Sequence, residues 1–328
     1  MGQQVNVYRK LKFFPGATVE GWAPQGEGRT YYVNNMTGSS TADGLSWNSS
    51  VDQINAAVVL SEAYRTLGGG RPGDAYNDYI HNTIVVQGTC QITTAYTASN
   101  YYDKLTDLPH HTDLIGLGDH FLGMDKGTVI IGAINSAADG ITDASTTRGI
   151  RMFNLMVGAD GTGNSAMHVS NLFRADIEDC WFGQHTNADN DEDINAGIEI
   201  DGSMGHCIVR HCIIGQTNGA YYPTYGMDLV LGSGGNNLIE DNVIFGKTSG
   251  ILMTTTDNWS GTVIRNNVIS GMAAECSGTG ITSGQYVIIA GNYICAADPV
   301  NSGTTGIHVG NWTNDSGTPQ WFPKITTT

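Results

Sequence analysis

A short motif that returns at the period of one solenoid coil constrains this sequence more than any other feature. Ile239-Glu240-Asp241-Asn242-Val243-Ile244 comes back one coil later as Ile264-Arg265-Asn266-Asn267-Val268-Ile269. Self-similarity at such a period signals units that bury their apolar face only by stacking on one another. The Asn of the motif falls at Asn154, Asn242, Asn267 and Asn292, with Cys180 and Cys212 in the same slot. The spacing stays within the range of solenoid repeats throughout. Three positions before the slot stand Ile177, Val209, Ile239, Ile264 and Ile289, with Arg151 the exception. Two positions after it stand Met156, Phe182, Ile214, Ile244, Ile269 and Ile294.

A second column follows each motif. It contains Met167-His168-Val169, Gly197-Ile198-Glu199-Ile200, Gly226-Met227-Asp228-Leu229, Gly250-Ile251-Leu252-Met253, Gly280-Ile281-Thr282 and Gly306-Ile307-His308-Val309. Short runs with period-2 alternation, split by Gly, Asn and Ser, read as strands. A recurring Asn implies a turn that takes a left-handed residue, with amides stacking from coil to coil.

These residues resemble the right-handed parallel β-helix of the pectate-lyase-like superfamily, and within it the β-helix proteins of phage particles. The resemblance covers roughly residues 31 to 310. It implies an all-β, single-stranded parallel β-helix of about ten coils with a short N-terminal capping helix. It implies little about chemistry, because the superfamily holds lyases, hydrolases, tailspikes and non-catalytic virion parts.

Composition narrows the partners. The chain has 328 residues, 44 of them glycine, a formal net charge of −16 and a pI near 4.7. Nucleic acid and anionic membranes are therefore excluded as expected partners, and a polyanionic glycan would be repelled unless a cation intervened. The N-terminal stretch shows no leader pattern, and no apolar run is long enough to span a membrane, so a soluble chain not exported by a standard signal is expected. Cys180 and Cys212 read as buried free thiols or as a disulfide between neighbouring coils.

In chain order, residues 1–30 fall outside the repeat. They are either a loose terminus or an arm that docks on other virion proteins. Residues 31–75 form a lead-in strand and a helix, capped by Ser49 or Ser50 and running from about Val51 to Leu67, that closes the first coil. Residues 76–310 form the solenoid, with first strands over 80–88, 113–118 and 128–132 and a long insertion from Tyr96 to His111. Residues 311–328 fold over the last coil.

In the columns beside the Asn slot, acids and bases alternate (Glu178, Arg210, Glu240, Arg265), which reads as pairing that sets register. The column inside the Gly-Ile strands differs: His168, Glu199, Asp228, Leu252, Thr282, His308. Glu199 and Asp228 would stack as like charges with no Lys or Arg in the column. Two carboxylates about 5–5.5 Å apart suit retaining glycoside hydrolysis, and their repulsion would raise one pKa. His168 would orient them or share a proton. Tyr221, Tyr222 and Tyr225 offer flat faces for a sugar, and Asp189, Asp191 and Asp193 alternate as ligands for Ca2+. The plain alternative is a solvated acidic face with turn tyrosines.

Two functions follow. The first, which the resemblance favours, is a non-catalytic virion component on the phage particle surface, a capsid decoration or tail appendage, trimeric by analogy and glycan-binding. The second is a polysaccharide depolymerase, a hydrolase before a lyase, using Glu199 and Asp228.

Overall fold

The computed structural model describes residues 28–67, 80–88, 102–118, 129–132, 138–184, 194–216, 223–230, 233–270, 278–302, 306–315 and 318–322. The chain winds as a single-stranded parallel β-helix with three parallel sheets, here A, B and C. Sheet A has ten strands among the described residues, from Thr30–Val33 to Ile307–Val309. One coil runs Asp176–Glu178 in A, Trp181–Gln184 in B and Ala196–Ile200 in C, and then re-enters A at Ile208–Arg210. Parallel neighbours require such a crossover, which takes the right-handed sense.

The apolar positions of the repeat line the interior. Ile177, Val209, Ile239, Ile264 and Ile289 from sheet A, and Phe182, Ile214, Ile244, Ile269 and Ile294 from sheet B, are sealed from solvent. Each such side chain contributes about 1.5–3 kcal/mol of burial. The recurring Gly of the Gly-Ile strands faces the Ile of sheet B. A Cβ on Gly226, Gly250 or Gly280 would meet Cγ2 of Ile244, Ile269 or Ile294 at 2.5, 2.2 and 2.2 Å. The two repeats are thus one steric fit: Gly on C makes room for Ile on B.

The A-to-B corner separates two roles that the sequence merges. The left-handed residue is the one before the slot: Asp179, His211, Asp241 and Asn266 have φ of 54 to 56°, and Gly291 and Gly310 follow at 66 and 62°. Asn, Asp, His and Gly tolerate this region, and β-branched residues do not. The slot itself carries a ladder of buried amides. Asn242 Nδ2 donates to Asn267 Oδ1, Asn267 to Asn292 and Asn292 to Asn311, each at 3.0 Å. Cys180 and Cys212 are buried free thiols, and burial pushes the Cys212 thiol up.

Several expectations shift. Strand pairing aligns Arg151 with Asp176 and Met152 with Ile177, so Leu155 rather than Asn154 shares the Cys180 slot, and Arg151 is no exception. Asn154 is the left-handed corner residue, φ 55°. His308 pairs with Ile289 in sheet A, while Asn301 stands beside Thr282 in sheet C. The helix, α1, spans Ile54–Leu67. Ser46 instead caps a short 3-10 turn at Trp47–Ser49, and Val51 bridges to Val33. The described part of the insertion is core: Tyr102, Leu105 and Leu108 are buried, and Tyr102 Oη donates to the Gln87 carbonyl at 2.7 Å.

Helix α1 covers the first coil with Ile54, Ala57 and Val58, and Asn82 ties it down by donating to the Ser61 carbonyl and Oγ at 3.1 and 2.8 Å. At the other end Asn311–Asp315 extends sheet B and pairs antiparallel with Thr318–Phe322. Residues 1–27 and 323–328 lie outside the described residues.

Candidate active site

Sheet C carries its reactive groups on outward positions of short strands. Glu199 is register partner to His168 in one neighbouring strand and to Asp228 in the other. Neighbouring strands lie about 4.8 Å apart, so the three side chains form one row, as the column pattern implies.

The row is held by partners from flanking positions. His168 Nε2 lies 2.7 Å from Asp201 Oδ2 and 3.9 Å from Glu199 Oε1, and its Nδ1 lies 3.4 Å from Asp139 Oδ2. Hydrogen bonding to Asp139, joined by Asp201 and the charge of Glu199, raises the His168 pKa to about 9 against the opposing effect of burial. His168 is therefore an imidazolium at neutral pH, donating from both ring nitrogens. Glu199 Oε2 accepts from Ser165 Oγ at 2.5 Å and from Asn195 Nδ2 at 2.9 Å. Ser165 is fixed in turn, its N–H donating to Asp139 Oδ1 at 2.6 Å and its Oγ accepting from the Ala196 N–H at 3.1 Å.

Asp228 has a poorer environment. Its Oδ1 accepts from the Val230 N–H at 3.2 Å. Burial pushes its pKa above the ordinary carboxylate value, the charges of Glu199 and Asp201 push it further, and the Val230 N–H and Asn195 oppose them. The two carboxylates thus differ: Glu199 is oriented by two neutral donors beside a cation, and Asp228 is biased to keep its proton. A carboxyl of raised pKa beside a second carboxylate is the arrangement that general acid and nucleophilic catalysis use.

Tyr225 opens the strand Tyr225–Leu229, opposite Ala196. It lies three positions before Asp228 and on the other alternation, so it is offset from the carboxylate row. Tyr221, Tyr222, Asp189, Asp191 and Asp193 lie outside the described residues. Sequence reasoning misses Asp139, Ser165, Asn195 and Asp201. Asp201 is visible as the second outward residue of Glu199-Ile200-Asp201; the others sit in turns before their strands, where periodicity says nothing.

Among the described residues, two groups bring ligand atoms within 4.8 Å of one another: His168, Glu199 and Asp201, and Glu178, Asp179 and His211. In the first, His168 is held by carboxylates as a hydrogen-bond donor, and a metal there would have to displace its proton. In the second, Arg210 Nη2 already holds Glu178 Oε2 at 3.0 Å. That pair and Arg265–Glu240, 2.6 Å apart, are the alternating ladder expected of sheet A.

No known family profile matches the sequence, and no curated relative matches it. A comparison with solved structures finds a likeness to the crystal structure of a GH136 lacto-N-biosidase from Eubacterium ramulus, with 9% identity and a TM-score of 0.49 over 87% of this chain. This chain spans 56% of that one. At this level the likeness adds nothing to the strand register as a description of the fold.

Proposed function

We propose that the chain is a glycan-directed β-helix whose sheet C face hydrolyses a glycosidic bond with Glu199 and Asp228. The observation that carries the reading is the register pairing of Glu199 with Asp228, whose burial and charged neighbours raise its pKa above the ordinary carboxylate value. Asp228 as general acid gives its proton to the glycosidic oxygen while Glu199 attacks the anomeric carbon. The bond to the leaving sugar breaks as the glycosyl ester forms. Water then cleaves that ester with Asp228 as base, which restores both groups and retains the anomeric configuration. His168 holds Glu199 and Asp201 in place and offsets their charge.

Reducing-end release across a panel of neutral polysaccharides tests the assignment. Turnover should vanish in Glu199→Gln and Asp228→Asn. Turnover that survives both substitutions overturns the site.

A second reading keeps the glycan and drops the turnover: a virion-associated component, trimeric, anchored to other virion proteins through residues 1–30. It is supported by the resemblance to phage β-helix proteins and by the apolar outer faces of the C-terminal coils. Recovery of the chain with purified virus particles, lost on removal of residues 1–30, is the expected result. Recovery that is indifferent to that segment contradicts the anchoring role.

A further inference from the structure

The outer faces of sheets A and B change character along the solenoid. In the early coils sheet A carries Asp113, Arg151, Asp176, Glu178 and Arg210, bound in ion pairs. Towards the C-terminal end the row of Asp113, Arg151 and Asp176 becomes Ile208, Leu238, Val263, Ile288 and Ile307, while the row of Glu178 and Arg210 stays charged through Glu240 and Arg265 and ends in Ala290 and Val309. The outer row of sheet B runs Ile213, Val243, Val268, Tyr293 and Trp312. Exposure rises with it: Val268 is 43% exposed, Tyr293 47%, Ile307 43% and Val309 44%. By contrast Met156 and Trp181, earlier in the sheet B row, are each 7% exposed.

Charge changes in parallel. The strands Val263–Arg265, Val268–Ser270, Ile288–Ala290, Tyr293–Cys295 and Ile307–Val309 contain no carboxylate, and their one cation, Arg265, is paired with Glu240. On a chain of net charge −16, such a surface is where two copies approach without acid facing acid. Scattered apolar residues need no explanation, but a contiguous ladder around one corner does.

We infer that this corner, formed by the outer faces of sheets A and B over the C-terminal coils, is the interface through which copies of this chain associate side by side. The extent fits. Five coils at about 4.8 Å, and two short strands plus a corner at about 3.3 Å per residue, give roughly 600 Å² per copy. Stable interfaces bury about 600–1,000 Å² per partner, so the patch sits at the low end of that range. The alternating Glu240–Arg265 pair beside the apolar rows supplies polar contacts at the rim, as interfaces usually have. The site on sheet C lies on a different face, so association leaves it open.

Light scattering on the full chain across a wide concentration range is the test. The expected result is an oligomer for the wild type, at least a tenfold weaker association for Tyr293→Glu and Val268→Glu, and no change for Val59→Glu on helix α1, itself 67% exposed. Circular dichroism confirms that each variant is folded. Should a β-strand charge unfold the chain, Tyr293→Ser gives the same reading through lost contact. A monomeric wild type at every concentration overturns the inference, as does an oligomer indifferent to the changes at Val268 and Tyr293.

Discussion

The A-to-B corner and the outer face of sheet C are built by the same operation, the stacking of equivalent side chains, and give opposite results. At the corner the stacked group is an amide, both donor and acceptor, so Asn242, Asn267, Asn292 and Asn311 satisfy one another in series. On sheet C the stacked groups are carboxylates, acceptors only, and the pKa of Asp228 is raised, by burial first and by the charges of Glu199 and Asp201 after it. A solenoid therefore sets stability or reactivity by which residue it repeats: complementary columns lock the coils, and like columns store an electrostatic imbalance that catalysis can use.

Four changes break or sharpen this contrast. The largest effect is expected on sheet C, where Asp228→Asn removes the proposed acid; turnover in the reducing-end assay should fall by about 10²–10⁴-fold, with thermal stability unchanged or raised because a half-buried carboxyl of raised pKa is replaced by a neutral amide. Next comes the amide ladder. Asn267→Ala orphans the Ile239 and Arg265 carbonyls and the Asn242 amide groups, and chemical denaturation should show a loss of roughly 2–4 kcal/mol.

His168→Asn should give a pH-dependent loss of stability. The folded-state pKa is raised to about 9, so the contribution of His168 is full below its ordinary value of about 6.5 and disappears as pH rises through 9. Melting curves of wild type and variant should differ most near neutral and mildly acidic pH and converge above that pKa. The smallest effect belongs to Arg265→Ala. Its pair with Glu240 is half exposed on the Arg side, and the expected cost is about 0–1 kcal/mol, screened by added salt.

The architecture is legible because a solenoid writes its geometry into sequence spacing. The row of His168, Glu199 and Asp228 follows directly from the Gly-Ile strands, whose Gly answers the Ile of sheet B. Legibility fails where that fit is absent. The strand Asp298–Ser302 occupies sheet C without the Gly-Ile pattern, so periodicity alone places His308 one column too far. Asn154 resembles the slot residues in type but serves the left-handed corner, and only strand pairing tells the two roles apart. The partners of the site are hidden for another reason: Asp139, Ser165 and Asn195 reach the row from turns, and only coordinates bring turns together.

The central claim is that burial, reinforced by Glu199 stacked beside it, raises the pKa of Asp228 enough for it to serve as the acid, and carboxyl-carbon NMR titration of Asp228 tests it most directly. The expected result is a midpoint above the ordinary carboxylate range in the wild type that falls towards that range in Glu199→Gln. An Asp228 midpoint at or below the ordinary value, or one unmoved by Glu199→Gln, contradicts the account.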